Sequence, residues 1–307
     1  MIKKISYDPE LPCICGSGKS VLDCHMDWDG KLRKPLPDLR PPGVATGYSH
    51  PKCYLHLCND CSTDISREHY MSEAVLSQLG KMLSVTGMPW LNAGEVKEIS
   101  VANLTARILC KRHNEALSPL DQEAALFFGD LRNVILDLDR KTLSRKPHFH
   151  LVSGQTLELW MLKVACGVYF SVGAGGGQLL SKTHTIDMYK VTRALFDGQW
   201  DNRAGLYFLG NRGSVLSFSD HVQFSLLSND KDLVFGGVRI SLLGLTLEFL
   251  FDTSNANPGP WQGLIRRPTE LTFTHGQRSH YFILTWPPGT PEQSVNMQHG
   301  RPPPGFR

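Results

Sequence analysis

The sequence carries almost no net charge, no apolar run of membrane length, no internal repeat and, after residue 62, only two cysteines. Of its 307 residues 32 are basic and 29 acidic, a formal charge of +3. No field over the whole molecule therefore commits it to nucleic acid, and any such contact must come from a local patch. The longest apolar stretch, 236–251, is too short to cross a bilayer and contains Arg239 and Glu248, so no membrane partner is expected. The opening MIKKISYDPELP lacks the apolar segment of a secretory signal, which makes a reducing cytoplasm the expected compartment and favours zinc over disulfides. With 41% apolar and 20% charged residues the chain is neither disordered nor fibrous as a whole, and its length suits roughly two domains.

What is present is a crowding of cysteine at one end. Six of the eight cysteines precede residue 62; the others are Cys110 and Cys166. Residues 1–30 form a cysteine-dense head, and KLRKPLPDLRPPG within residues 31–50 reads as an extended, proline-rich linker. A second cysteine cluster occupies the segment 51–145, and Ser118, Pro119 and Asp121 read as the start of a helix whose apolar face runs from Leu120 to Leu138.

The segment 146–290 places helices first, from about Thr156 and from Asp187 to Phe196. A glycine-rich break at 173–177 lies between them. Strands follow over Leu206–Leu209, Val222–Leu227, Leu233–Leu250 with a break at Gly244, and Leu271–Trp286. With no βαβ alternation, the expected fold class is α+β: a zinc-binding head, a metal-braced middle and a carboxy-terminal domain of helices followed by a mainly antiparallel sheet. The proline- and glycine-rich tail 291–307 is expected to be disordered.

In the head, CICGSGKSVLDCH sets Cys13 and Cys15 one residue apart and ends in Cys24-His25, four ligands suited to tetrahedral zinc with glycines that let the chain fold tightly round it. GSGKS is not a phosphate loop, because the glycine required five positions before the Gly-Lys pair is Cys13. The segment closely resembles the SEC-C zinc motif over about 13 residues. That resemblance implies a small module contacting protein or nucleic acid, without catalysis of its own.

The second cluster reads CNDCSTDISREHYMSEAVL and, after a spacer, NLTARILCKRHNEALSPLD. Two such pairs about 50 residues apart signal one structural zinc, Cys58 and Cys61 facing Cys110 and His113. A Cys53 and Cys61 pair is the alternative; the shorter spacing is preferred. The arrangement resembles the HNH endonucleases whose ββα-metal core is braced by zinc, over about residues 53–130.

The resemblance implies that His69 is the general base, Glu68 the acidic ligand of a catalytic Mg²⁺ or Mn²⁺, Asn103 the residue orienting the histidine, and Asn114 both a catalytic residue and a second ligand of that ion. This chain departs from the commoner pattern in Glu68 for Asp, His113 for Cys, and the 33 residues between His69 and Asn103. The chemistry is coherent: imidazole accepts a proton from water near neutral pH, and hard oxygen ligands suit Mg²⁺ or Mn²⁺. Arg67, Arg107, Lys111 and Arg112 form a candidate phosphate-contacting patch or else solvated charge.

Other features carry no assigned role. His148 and His150 alternate like strand residues and share a face, but no third ligand of matching spacing is near, so a plain half-exposed strand is expected. Cys166 reads as core, Trp160 and Trp261 as packing residues, and Arg266 with Arg267 as a small basic patch. The expectation is thus a metal-dependent HNH-type endonuclease of DNA, RNA not excluded, with two structural zinc ions. The alternative is a non-catalytic zinc adaptor that docks to a partner.

Overall fold

The computed structural model describes residues 8–15, 17–27, 30–139, 147–171, 180–201, 203–209, 220–229, 233–251 and 263–299. The head contains one short helix, α1 (Val21–Cys24), capped by the Ser20 hydroxyl, which accepts a hydrogen bond from the Asp23 amide. Residues 31–50, expected as a linker, are extended but held down. Leu39 is buried, Lys34 Nζ lies 2.6 Å from Glu123, and Arg40 lies 2.9 Å from Asp197. The segment is a packed strap, because its basic side chains find carboxylates on two separate helices.

Strand β1 (Ile65–His69) leads into α2 (Glu73–Leu76), a hairpin of β2 (Met82–Thr86) and β3 (Val96–Ser100), and β4 (Thr105–Cys110). β4 returns antiparallel to β1, with Ile65 opposite Cys110 and His69 opposite Thr105. The long interval between His69 and Asn103 is thereby explained: it holds α2 and a hairpin inserted between two paired strands. α3 (Lys111–Asp139) follows β4 directly and carries Pro119 inside it. The expected start at Ser118 is corrected to Lys111. Pro119 lacks the N–H that would bond the carbonyl four residues back, yet the turns before it are pinned from outside. The Lys111 amide bonds the Asp64 carbonyl at 2.8 Å, and Arg112 binds Asp60.

After β5 (His148–Ser153) comes α4 (Gly154–Phe170), which starts on Ser153, whose hydroxyl accepts from the Thr156 amide. Residues Thr156–Tyr169 are all buried, as befits a helix apolar all round. Its buried charges are Glu158 and Lys163, and a buried charge needs partners. Glu158 has Arg267 at 2.8 Å through both oxygens and accepts from the Leu206 amide. The Arg266–Arg267 pair is thus half-buried and structurally engaged: Arg267 pairs with Glu158 of α4, and Arg266 bonds the Ala204 carbonyl.

The remaining elements are α5 (Leu180–Thr183), α6 (Met188–Asp197), β6 (Gly205–Leu209), β7 (His221–Asn229), β8 (Val234–Leu242), β9 (Leu245–Leu250), β10 (Leu264–Arg266), β11 (Glu270–His275), β12 (Arg278–Thr285) and β13 (Ser294–Gln298). α6 is capped by Asp187 and closed by Gly198 in the left-handed region. Among the described residues there are three sheets: β1-β4, the seven-stranded β10-β6-β9-β8-β7-β2-β3, and the four-stranded β13-β11-β12-β5. The class is mixed α+β.

Most pairings are antiparallel, but β5 joins β12, β13 joins β11 and β2 joins β7 in parallel. The β2–β7 junction requires Gly87: its φ is 74°, and a Cβ there would meet the Phe224 carbonyl oxygen at 1.7 Å. Segments 51–145 and 146–290 therefore share a sheet and one continuous apolar core. The expected disordered tail is corrected for 294–298, which form β13 because Val295 and Met297 bury on one face. Residues 300–307, Trp261 and the glycine-rich break at 173–177 lie outside the described residues. Among the described residues no helix is long and apolar enough to cross a membrane.

Candidate metal centres and the adjoining cleft

The head brings Cys13, Cys15, Cys24 and His25 together, their ligand atoms all within 4.8 Å of one another. Cys13 Sγ lies 3.2 Å from His25 Nδ1 and Cys15 Sγ lies 3.5 Å from Cys24 Sγ. The chain closes this loop with its own backbone: the Cys13 amide bonds the Lys19 carbonyl, and the Val21 amide bonds that of Leu11. Cys15 is exposed. Burial opposes its thiolate, but hydrogen bonds from the Ser17 hydroxyl and amide bring its pKa down to about 7. Burial pushes the Cys13 thiol up to about 11.

The second cluster is Cys53, Cys61, Cys110 and His113, all buried, with ligand atoms again within 4.8 Å. His113 Nδ1 lies 3.2 Å from Cys110 Sγ, 3.5 Å from Cys53 Sγ and 3.7 Å from Cys61 Sγ. Tetrahedral zinc, with Zn–S about 2.3 Å and Zn–N about 2.0–2.1 Å, sets sulfur and nitrogen about 3.6 Å apart. Both donor sets fit that ion. Burial pushes the Cys53 and Cys61 thiols up, so a nearby cation is what would hold them as thiolates.

The preferred assignment of Cys58 is thereby corrected to Cys53. The Tyr54 amide bonds the Ile108 carbonyl, and the Tyr54 ring stacks on Phe170, which draws Cys53 to the end of β4 beside Cys110. A 3-10 turn over His56–Cys58 then carries Cys58 away from the cluster.

Beside this cluster opens a cleft of about 640 Å³ lined by β1, α2 and α3, with Arg67, Glu68, His69, Ser72, Asn114 and Asp121 among its walls. His69 Nε2 is buried without a hydrogen-bond partner, and its Nδ1 lies 3.9 Å from Glu73. Burial lowers the His69 pKa below its usual value, so the ring is neutral at pH 7.

Asn114 hydrogen-bonds Glu68. Beneath them lies Lys163 of α4, its Nζ 2.6 Å from Glu68 and 2.5 Å from Asp121. Burial works against the ammonium, but the two carboxylates hold its pKa above the usual lysine value. The network continues from Asp121 through Ser72 to Trp160 Nε1, which donates at 2.8 Å to the Ser72 hydroxyl.

Asn103 is exposed at the end of a 3-10 turn and is not among the residues lining the cleft. The structure does not place Asn103 against His69: from this turn it is the Val101 backbone, two residues earlier, that acts on the imidazole, favouring its protonated form against the larger effect of burial. Arg67 and Arg107 line a second groove with Lys52, and Arg67 belongs to both openings. Lys111 is exposed. Arg112 is committed to Asp60, 2.9 Å away, and to the Val44 carbonyl, so it braces the cysteine loop and leaves the candidate phosphate patch. Trp160 and Cys166 are fully buried in the core.

Lys163 was missed because its partners lie 42 or more residues away in the sequence. The available signal was a lone cation in the otherwise apolar run LWMLKVACGV. No protein-family model, curated protein or solved structure matches the chain.

Proposed function

We propose that this chain is a metal-dependent HNH-type endonuclease acting on DNA, with His69 as general base. The observation that carries the reading is that a neutral His69 lines the same cleft as Glu68 and Asn114, which hydrogen-bond one another. The order β1, β4, α3, with a Cys₃His cluster at the junction, is the arrangement expected of a zinc-braced ββα-metal core.

In this reading the two clusters each hold a structural zinc. His69 takes a proton from water, and Asn114 keeps Glu68 in place. Arg67 and Arg107 line the groove along which a phosphate backbone would run. Glu68 and Asn114 are the hard donors that suit Mg²⁺ or Mn²⁺, which when bound supplies stabilisation of charge on the phosphate and leaving oxygen. Lys163 already engages Glu68, so such an ion would share that carboxylate with an ammonium.

The same Lys163 favours a second reading, a non-catalytic zinc adaptor in which the carboxylates are structural. Plasmid nicking with Mg²⁺ or Mn²⁺, with RNA run alongside, separates the two. Wild-type protein is expected to cleave, and His69→Ala to lose about 10²–10⁴-fold in rate. The rate should rise with pH on the acid side of 6.5 and flatten above it, because burial holds His69 below that value. No cleavage by zinc-loaded protein, or full activity in His69→Ala, sinks the nuclease reading.

A further inference from the structure

The groove beside the cleft, about 410 Å³, sets three exposed cations, Lys52, Arg67 and Arg107, round Ala106, Ile108 and Phe170, and no carboxylate lines it. Elsewhere arginines sit on acids: Arg40 on Asp197, Arg112 on Asp60 and Arg267 on Glu158. Here Arg67 donates instead to the Thr105 hydroxyl, at 3.2 Å. A strip of positive charge without acidic compensation attracts an anion that repeats, and a phosphodiester chain is such an anion.

Within the strip stands an aromatic ring. Phe170, the last residue of α4, is half-buried and stacks on Tyr54 with centroids 5.6 Å apart and planes 5° apart. The Tyr54 amide bonds the Ile108 carbonyl, which fixes this pair to the wall that carries the cations. Aromatic side chains set among cations are how single strands are held, the charges taking phosphates and the ring taking a base. In a duplex the faces of each base are already stacked on its neighbours, so only an unpaired base can make that contact. The groove also leads to the cleft. Thr105 lies opposite His69 in the β1–β4 register, and Arg67 lines both openings.

We propose that this groove binds single-stranded nucleic acid, its backbone held by Lys52, Arg67 and Arg107 and one base seated against Phe170, which makes unpaired strand the substrate class delivered to the cleft. The unpaired stretch can be an end, a loop or a locally opened duplex. This deepens the nuclease reading and rests on it for cleavage alone, since capture in the groove needs neither His69 nor a catalytic ion.

The test measures binding to the full-length, zinc-loaded protein with no Mg²⁺ or Mn²⁺ added, which separates capture from cleavage. Fluorescence anisotropy compares a short labelled oligothymidylate and its RNA counterpart with duplexes of the same length. At least one single strand should bind about tenfold or more tightly than its duplex. Phe170→Leu should weaken that binding by about 5–150-fold, the loss of one base–aromatic stack, and Phe170→Tyr should retain it. Arg107→Ala should reduce the slope of log affinity against log salt by about 0.7, one phosphate contact fewer. In wild-type protein, ultraviolet crosslinking of an iodouracil-containing strand should map to Phe170, a readout that needs no variant to fold. Duplexes bound as tightly as single strands, unchanged affinity in a folded Phe170→Leu protein, or crosslinks confined to other segments overturns the proposal. Single-strand binding that follows these expectations without cleavage once Mg²⁺ or Mn²⁺ is added supports the groove and removes the nuclease reading.

Discussion

The two cysteine clusters have the same donor chemistry and opposite settings. The head draws its ligands from residues 13–25, with Cys15 exposed and the loop closed by its own backbone. The core cluster draws on residues 53–113, all four buried, and ties a loop to the end of β4 and the first turn of α3. One site organises a local turn; the other joins elements far apart in the sequence, where Tyr54 with Ile108, Arg112 with Asp60 and Lys111 with Asp64 lend support. The same ion should therefore matter far more to the stability of the core.

The strongest attempt to break this contrast is Cys110→Ser. Structural zinc contributes about 10–16 kcal/mol of binding free energy, comparable to a whole domain's stability of about 5–15 kcal/mol. The variant should lose one zinc and its cooperative melting transition. A wild-type melt would refute the distinction.

Next in size is Lys163→Met, which leaves Glu68 and Asp121 without their cation in a buried network. Removing one partner of such a network costs about 3–5 kcal/mol, measurable as a lower urea midpoint. This tests whether the core cluster depends on α4 as well as on its own ligands.

The joint change Cys13→Ser and Cys15→Ser should remove one zinc yet shift the main transition by only about 1 kcal/mol, because the buried Cys13 and Val21 of the head lie outside the continuous apolar core. A chelator should likewise strip the exposed head site before the buried one, seen as two phases of zinc release. Equal rates would erase the difference in accessibility.

The smallest effect sharpens the ligand set. Cys58→Ser should keep both zinc ions and change stability by no more than about 1 kcal/mol, whereas Cys53→Ser should lose one ion. Metal analysis of the two purified variants decides it.

Much of this was legible in the residues, and the pattern of success has a cause. The helices at Thr156 and Asp187 were readable from caps and 3.6-residue spacing, and both are present as α4 and α6. The hairpin of β8 and β9 was readable from apolar runs broken at Gly244. The start of α3 was misread because Ser118, Pro119 and Asp121 mimic a cap where Asp64 and Asp60 had already pinned an earlier start. Asn103 was named for its residue type, whereas what acts on His69 from that turn is the backbone of Val101, which has no residue type to recognise.

By itself the sequence determined the ligand chemistry of both clusters, the head's complete ligand set, and the elements whose signals lie within a turn or two. Only the tertiary structure decided that Cys53 and not Cys58 closes the core cluster, that Lys163 meets Glu68 and Asp121, and that Phe170 meets Tyr54. Those contacts join residues far apart along the chain. Spacing carries no information about them, because they follow from how buried helices and strands pack.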